Sequence, residues 1–317
     1  MLSNPTAAVL LATYNGEKFL TQQLDSILSQ TYENIKIYIS DDKSSDSTAE
    51  ILASYQKKFP KKVFYSINEN NVGYVKNFEK LLNNCNEEYM ALSDQDDIWM
   101  PEKLELQMQE MLSLEDAYND GACLIHSDLF MIDVNEMLIQ KSYFQYRGYA
   151  IKPEKDLGHI LGPCGVMGNT ILLNKKLKEL ILPFPDSLDL HDYWIGVNAE
   201  LFGCRKTLFS QLVKYRIHQN NACNSKEALQ RKQHSFIDRD IRLPNLETKR
   251  KYFLPKLREK IQDKEDLKVF DAYIEYLNFQ PNRLKIYINL IKYSLVKRDV
   301  WFRMKLFFKI LFTNRYR

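Results

Sequence analysis

The sequence predicts an α/β fold: a mostly parallel sheet flanked by helices, followed by a C-terminal helical extension. Three observations carry this. Apolar runs of strand length alternate with helix-period segments through the first hundred residues. The spacing leaves room for crossover helices between strands, as βαβ units require. Near residue 226 the alternation stops and long helical patterns take over.

Each element has its own signal. AAVLLAT (7–13) is a short buried run and reads as a strand, and EKFLTQQLDSILSQ (17–30) sets Leu20, Leu24, Ile27 and Leu28 on one helical face. NIKIYIS (34–40) alternates Ile35, Ile37 and Ile39 with polar partners, so a strand follows. DSTAEILASYQKKF (46–59) opens on Asp46 or Ser47 as a helix N-cap. KVFYSIN (62–68), YVKNFEKLLNNC (74–85) and EEYMALS (87–93) continue as strand, helix, strand. Past Pro101 the pattern predicts a helix over 101–114, strands over 123–129 and 168–174, a helix over 190–203 ended by Gly203, and a strand running to His218. Helical stretches broken near Pro255 and Pro281 complete the chain, and a soft boundary at 222–226 divides a catalytic domain (1–222) from a basic helical region (223–317).

Bulk properties narrow the class. The 317 residues are 45% hydrophobic and 27% charged, with few Gly and Pro, which excludes disordered and fibrous chains. Five scattered cysteines (Cys85, Cys123, Cys164, Cys204 and Cys223) form no CxxC pair and fit reduced thiols in a cytoplasmic protein. No signal peptide and no spanning helix are expected. Charge is asymmetric: residues 226–317 carry 23 Lys and Arg against 11 Asp and Glu, and residues 1–225 carry 21 against 30. A basic tail on an acidic body suggests an anionic partner at one end.

In α/β sheets, ligands bind beyond the carboxyl ends of the strands. Three of those ends are polar here: TYN (13–15), DD (41–42) and DQDD (94–97). Asp94 and Asp96, one residue apart after an apolar strand, would repel unless a cation lay between them. Such a hard-oxygen pair suits Mg²⁺ or Mn²⁺, which often bind through one or two carboxylates and complete their shell with water and substrate phosphates. An acidic loop capping the helix at Pro101 is the simpler alternative.

ATYNGEKFL, DSILSQTYENIKIYISDDKSSDST, NVGYVKNF and ALSDQDDIWMPEKLE resemble the nucleotide-sugar-binding half of glycosyltransferase family 2, and DQDDIWxPxKLE resembles its bacterial rhamnosyltransferase-like branch. The resemblance covers roughly residues 7–220 and implies the GT-A nucleotide-diphospho-sugar transferase fold in a metal-dependent, inverting enzyme. It implies Ala12, Thr13 and Tyr14 against the nucleoside, with Asn15 shaping their loop. Asp42 would accept from the pyrimidine ring N–H of a UDP- or dTDP-sugar, supported by Asp41; a carboxylate there rejects cytosine, whose N3 bears no proton. Plain turn formation is the alternative for both. Asn71, Gly73 and Asn77 would line the donor pocket, Asp94 would meet ribose or sugar hydroxyls beside Gln95, and Asp96 would hold the metal with Asp94. Asp97 and Trp99 would support the loop.

Downstream, HDYW (191–194) resembles the segment where the family has an acidic catalytic residue, implying Asp192 as general base, with an N-cap for the helix 192–202 as the alternative. His191 stands where the family commonly has Glu, and with Trp194 is expected on the acceptor side or in support. YRIHQNN (215–221) resembles the branch's YRxHxxN: His218 is a candidate metal or phosphate ligand and Arg216, by charge, a diphosphate partner. His126, in HSD, is the remaining histidine that most resembles a site element.

The stretch 297–317 mixes seven Lys and Arg and one Asp with Trp301, Phe302, Leu306, Phe307, Phe308, Ile310 and Leu311. That composition fits a helix lying on a membrane surface, with core packing as the alternative. The expected function is sugar transfer (rhamnose favoured, then galactose or glucose) to a hydroxyl of a cell-surface polysaccharide or lipid-linked glycan precursor, at the cytoplasmic membrane face and without nucleic acid. A sugar nucleotidyltransferase would be expected to carry a Gly-rich phosphate loop, but ATYNGEKF has one Gly. A non-catalytic glycan- or nucleic-acid-binding protein would not need DD and DQDD at strand ends.

Overall fold

The computed structural model describes residues 4–119, 121–219, 221, 249–278 and 282–312. Among them a nine-stranded sheet runs in the order β3-β2-β1-β4-β8-β6-β9-β5, with β7 beside β6. The first half reads β1 (Ala7–Thr13), α1 (Leu20–Leu28), β2 (Ile35–Asp41), α2 (Thr48–Lys58), β3 (Val63–Ile67), α3 (Tyr74–Asn84) and β4 (Tyr89–Asp94). β1 pairs in parallel with β2 on one side and β4 on the other, and β2 pairs in parallel with β3. The order therefore reverses beside β1, which opens a crevice at the carboxyl edge of the sheet. Ala7 to Leu11 are wholly buried, as a central strand covered on both faces requires.

The second half comprises β5 (Ile98–Trp99), α4 (Lys103–Ala117), β6 (Cys123–Ile132), β7 (Leu138–Gln140), α5 (Tyr143–Arg147), α6 (Leu157–Leu161), β8 (Leu172–Asn174), α7 (Lys175–Ile181), α8 (His191–Phe202) and β9 (Cys204–Arg216). β8 joins β4 and β6 antiparallel, so the sheet turns mixed beyond β4. The strand predicted over 168–174 is shorter than expected. Gly168–Thr170 form a 3₁₀ turn, with Thr170 N–H bonded to Met167 C=O, and only 172–174 pair.

The extension adds α9 (Arg250–Phe253), a 3₁₀ segment (Leu254–Lys260) containing Pro255, α10 (Lys264–Leu277), α11 (Arg283–Lys292) and α12 (Val300–Phe312). The soft boundary at 222–226, Cys223, Asn220 and Pro281 lie outside the described residues. Phe253, Phe270, Tyr273 and Leu290 share the hydrophobic core of the sheet half. The contact is close because Gly158 on α6 and Gly162 directly after it present no side chain. A Cβ on Gly158 would meet Tyr293 C=O at 1.7 Å, and one on Gly162 would meet Leu295 C=O at 1.9 Å. Arg298 adds an ion pair to Asp156, one guanidinium nitrogen donating to both carboxylate oxygens at 2.8 and 2.9 Å.

Candidate active site

Strand register assembles the site. Thr13 lies opposite Asp41, and Ala12 opposite Asp94, so the three polar strand ends predicted above sit side by side. Gln95 ties two of them: its Oε1 accepts from Thr13 Oγ1 at 2.5 Å and from Tyr14 N–H at 2.8 Å, and its Nε2 donates to Tyr14 C=O at 3.0 Å. Asn15 takes a left-handed φ of 49°, which a short amide side chain tolerates, and its Oδ1 accepts from Ser45 N–H at 2.9 Å. Half of Tyr14 remains exposed beside this loop.

Asp41 accepts from Ser44 N–H and Oγ, a turn-forming role. Asp42 holds the next loop, receiving Val72 N–H at 2.9 Å, Gly73 N–H at 2.8 Å and Asn68 Nδ2 at 2.8 Å. An ionised carboxylate has about four acceptor positions, so one remains for a ligand N–H. Gly73, at φ 81°, makes the turn into α3, and Asn71 Nδ2 donates to Asp42 C=O. Asn77 is placed differently from expectation. It is buried, bonded to Ser40 C=O at 2.8 Å and to Asn68, and braces β2 from beneath rather than lining a pocket.

Asp94 lies within electrostatic reach of both Asp96 and Asp192. Burial pushes the Asp94 carboxyl up to about 7, with the Asp96 and Asp192 charges adding to it. Burial likewise lifts Asp192 to about 6, opposed by N–H donation from Tyr193 and Gly168 and by the Arg250 charge. Asp192 opens α8, so the site is closed from the second half of the chain. His191, one residue earlier, is buried and stacked on Phe78 at 4.3 Å, with neither ring nitrogen hydrogen-bonded. Burial lowers its pKa to about 3, leaving a neutral wedge poorly suited to taking protons at neutral pH.

Asp97 is fully buried, accepting from Asn169 Nδ2 at 2.5 Å and Arg216 N–H at 3.1 Å. Trp99 is buried under the same loop, with Lys103 Nζ 3.5 Å from its ring centre. Arg216 departs from expectation. Its guanidinium is buried, donating to the carbonyls of Asp96, Asp133 and Val134 and to Gln22 Oε1, and stacks 4.6 Å over Phe19. It therefore braces the DQDD loop from behind and is spent before any diphosphate arrives. Trp194 is also core: its indole N–H bonds to Ile181 C=O and its ring meets Phe253 edge-on, so it is no acceptor contact. His126 is likewise interior, its Nε2 2.8 Å from Thr207 Oγ1.

His218 Nε2 lies 2.7 Å from Asp96 Oδ2. Among the described residues no group of three or more His, Cys, Asp or Glu is placed to hold a metal. Asp96 and His218 would offer a divalent cation one hard oxygen and one imidazole nitrogen, with diphosphate and water left to complete its shell.

Tyr74 was missed from sequence. Its hydroxyl donates to Asp189 C=O, three residues before Asp192, and its ring meets His191 edge-on at 6.0 Å. With Glu79 accepting from Phe184 N–H at 2.7 Å, α3 is tied at two points to residues 183–190. The position directly after NVG was the available signal.

Comparison with known proteins agrees with this architecture. The family profile described as "Glycosyl transferase family 2" matches residues 8–172. An uncharacterized glycosyltransferase of Methanocaldococcus jannaschii, MJ1057, is 29% identical over 222 residues, covering 68% of this chain and 72% of the relative. The dTDP-rhamnosyl transferase RfbG of Shigella flexneri is 40% identical over 99 residues, 30% of this chain and 34% of RfbG. Among solved structures, S. aureus TarS 1–349 in complex with UDP-GlcNAc superposes with a TM-score of 0.58 at 17% identity, over 92% of this chain and 84% of that one. The mannosyltransferase PcManGT of Pyrobaculum calidifontis, in complex with GDP-Man and Mn²⁺, gives 0.56 at 13% identity, over 96% and 79%. The sheet with its flanking helices and C-terminal helices is the GT-A fold.

Proposed function

We propose, from the premise that the chain belongs to glycosyl transferase family 2, that it moves a sugar from a dTDP- or UDP-sugar to a hydroxyl of a cell-surface polysaccharide or lipid-linked glycan precursor, inverting the anomeric carbon. One observation carries the reading: the ends of β1, β2 and β4 are in register, and Asp94 at the end of β4 lies within electrostatic reach of Asp192, a carboxylate delivered from the opposite half of the chain. An inverting transfer is one displacement, with the hydroxyl attacking opposite the leaving diphosphate. Asp192 takes the hydroxyl proton as the bond forms, and a value lifted to about 6 suits a base working near neutrality. Asp42 accepts from the pyrimidine N–H, Ala12, Thr13 and Tyr14 pack along the nucleoside, and Asp94 orients donor hydroxyls. Asp96 and His218 would hold a divalent cation, which supplies Lewis-acid stabilisation of the leaving diphosphate.

Rhamnose is the favoured sugar, supported by the match to RfbG and by DQDDIW, with galactose and glucose behind it. The work is assigned to the cytoplasmic face of the membrane, where the acceptor would be lipid-linked. Isothermal titration with UDP and dTDP, with and without Mn²⁺, tests the reading, and donor hydrolysis over a panel of dTDP- and UDP-sugars names the sugar. Metal-enhanced binding of either nucleotide is expected. Binding of neither, with or without metal, refutes the donor assignment.

A further inference from the structure

α12 is two-faced. Leu306 and Ile310 are buried in the core, whereas Val300, Trp301, Met304 and Phe308 point outward, Trp301 at 66% and Phe308 at 60% exposure. At 100° per residue these four fall within one arc of about 100°, opposite Leu306 and Ile310, and Lys305 and Lys309 border it. α11 repeats the plan: Ile286 and Leu290 are buried, Leu284 and Ile288 are half-exposed, and Lys292 follows them around the helix, while Lys285 is paired with Glu275 of α10 at 2.8 Å. The helices run antiparallel, with Arg283 bonded to Leu311 C=O, Tyr287 to Arg303 C=O, and the Tyr287 and Phe307 rings 5.0 Å apart. Both exposed arcs thus lie on the side away from the core. Residues 282–312 hold eight Lys and Arg and a single acid, Asp299.

We infer that the outer face of α11 and α12 docks the protein on an anionic phospholipid bilayer, with Trp301, Phe308, Met304, Leu284 and Ile288 entering the headgroup boundary and the lysines meeting lipid phosphates. An exposed apolar arc bordered by cations, on a pair with almost no acid, matches that surface in both chemistry and charge. The inference deepens the peripheral-membrane part of the reading above. Its test uses neither donor nor acceptor, so failure here leaves sugar transfer standing, and the reverse holds too. The described face also corrects an either-or expectation: α12 packs on the core and presents an apolar surface, so deleting 297–317 would remove core residues and confuse the two roles.

The fluorophores make the test direct. The chain has three tryptophans, and Trp99 and Trp194 are buried, so a change of emission on vesicle binding reports Trp301. The full-length protein is mixed with phosphatidylglycerol vesicles and with phosphatidylcholine vesicles, and binding is read by co-sedimentation and by quenching with brominated lipid. The expected results are binding to the anionic vesicles, blue-shifted and quenched emission, and partial release at high salt. Phe308→Ser should weaken binding roughly tenfold or more, and Lys305→Gln with Lys309→Gln about five-fold per charge, with melting unchanged in each. No binding to anionic vesicles at low salt overturns the inference. So does binding with unchanged Trp emission, or a dimer in solution that Trp301→Ser dissociates while vesicles are ignored.

Discussion

Replacing Asp192 by asparagine should move stability and turnover in opposite directions. Burial holds the Asp192 carboxyl at about 6, against an ordinary 3.8. That gap corresponds to about 3 kcal/mol favouring the protonated form. A carboxyl raised in this way adds stability that is complete below its unfolded value and is lost as pH rises through about 6. At pH 7.5 the native carboxylate is therefore a burden. The side chain is partly exposed, so water screens some of the effect and about 1–2 kcal/mol is the realistic gain for Asp192→Asn. The amide oxygen still accepts from Tyr193 and Gly168 N–H, so the helix start is kept. The assay pairs thermal melting at pH 4 and 7.5 with sugar transfer. Melting should rise at pH 7.5 and match the parent at pH 4, donor binding should stay normal, and transfer should fall at least about a hundredfold. In the parent, transfer should climb with pH through about 6 and then level off. Transfer within tenfold of the parent, or a variant that melts several degrees lower at pH 7.5, would refute Asp192 as the base and leave it a structural carboxylate.

Asp96→Ala should abolish metal-enhanced nucleotide binding with the fold intact; titration with UDP or dTDP and Mn²⁺ matching the parent would remove Asp96 from the cation site. Arg216→Met should destabilise the chain by about 1–3 kcal/mol, because the part-buried carbonyls of Asp96, Asp133 and Val134 lose the donor that the buried guanidinium supplies; a stable variant whose only defect is a raised donor KM would restore the diphosphate role. Tyr74→Phe keeps the ring beside His191 and removes the bond to Asp189. It should lower kcat with donor KM and melting nearly unchanged, and a shift in KM alone would argue against a role in placing Asp192.

Local patterns were legible because local physics writes them. Strand and helix periods mark each element of the first half to within a few residues, since a buried central strand such as Ala7–Thr13 must be apolar throughout and a covered helix must carry a 3.6-residue stripe. Polar residues at three strand ends betray a crevice for the same reason: interrupting an apolar run with carboxylates costs stability unless a ligand uses them. Partnership across the chain was not written there. Arg216 beside DQDD looked available by charge, yet three carbonyls and Gln22 claim it. Trp194 and Asn77 turned inward because their polar atoms found backbone carbonyls in the interior. The approach of the Asp94 and Asp192 carboxylates, the Tyr74 tie between the halves and the outward arc of α12 depend on which face meets which neighbour. Composition names the residues on a helix, and packing alone decides which of them water, or a lipid surface, can reach.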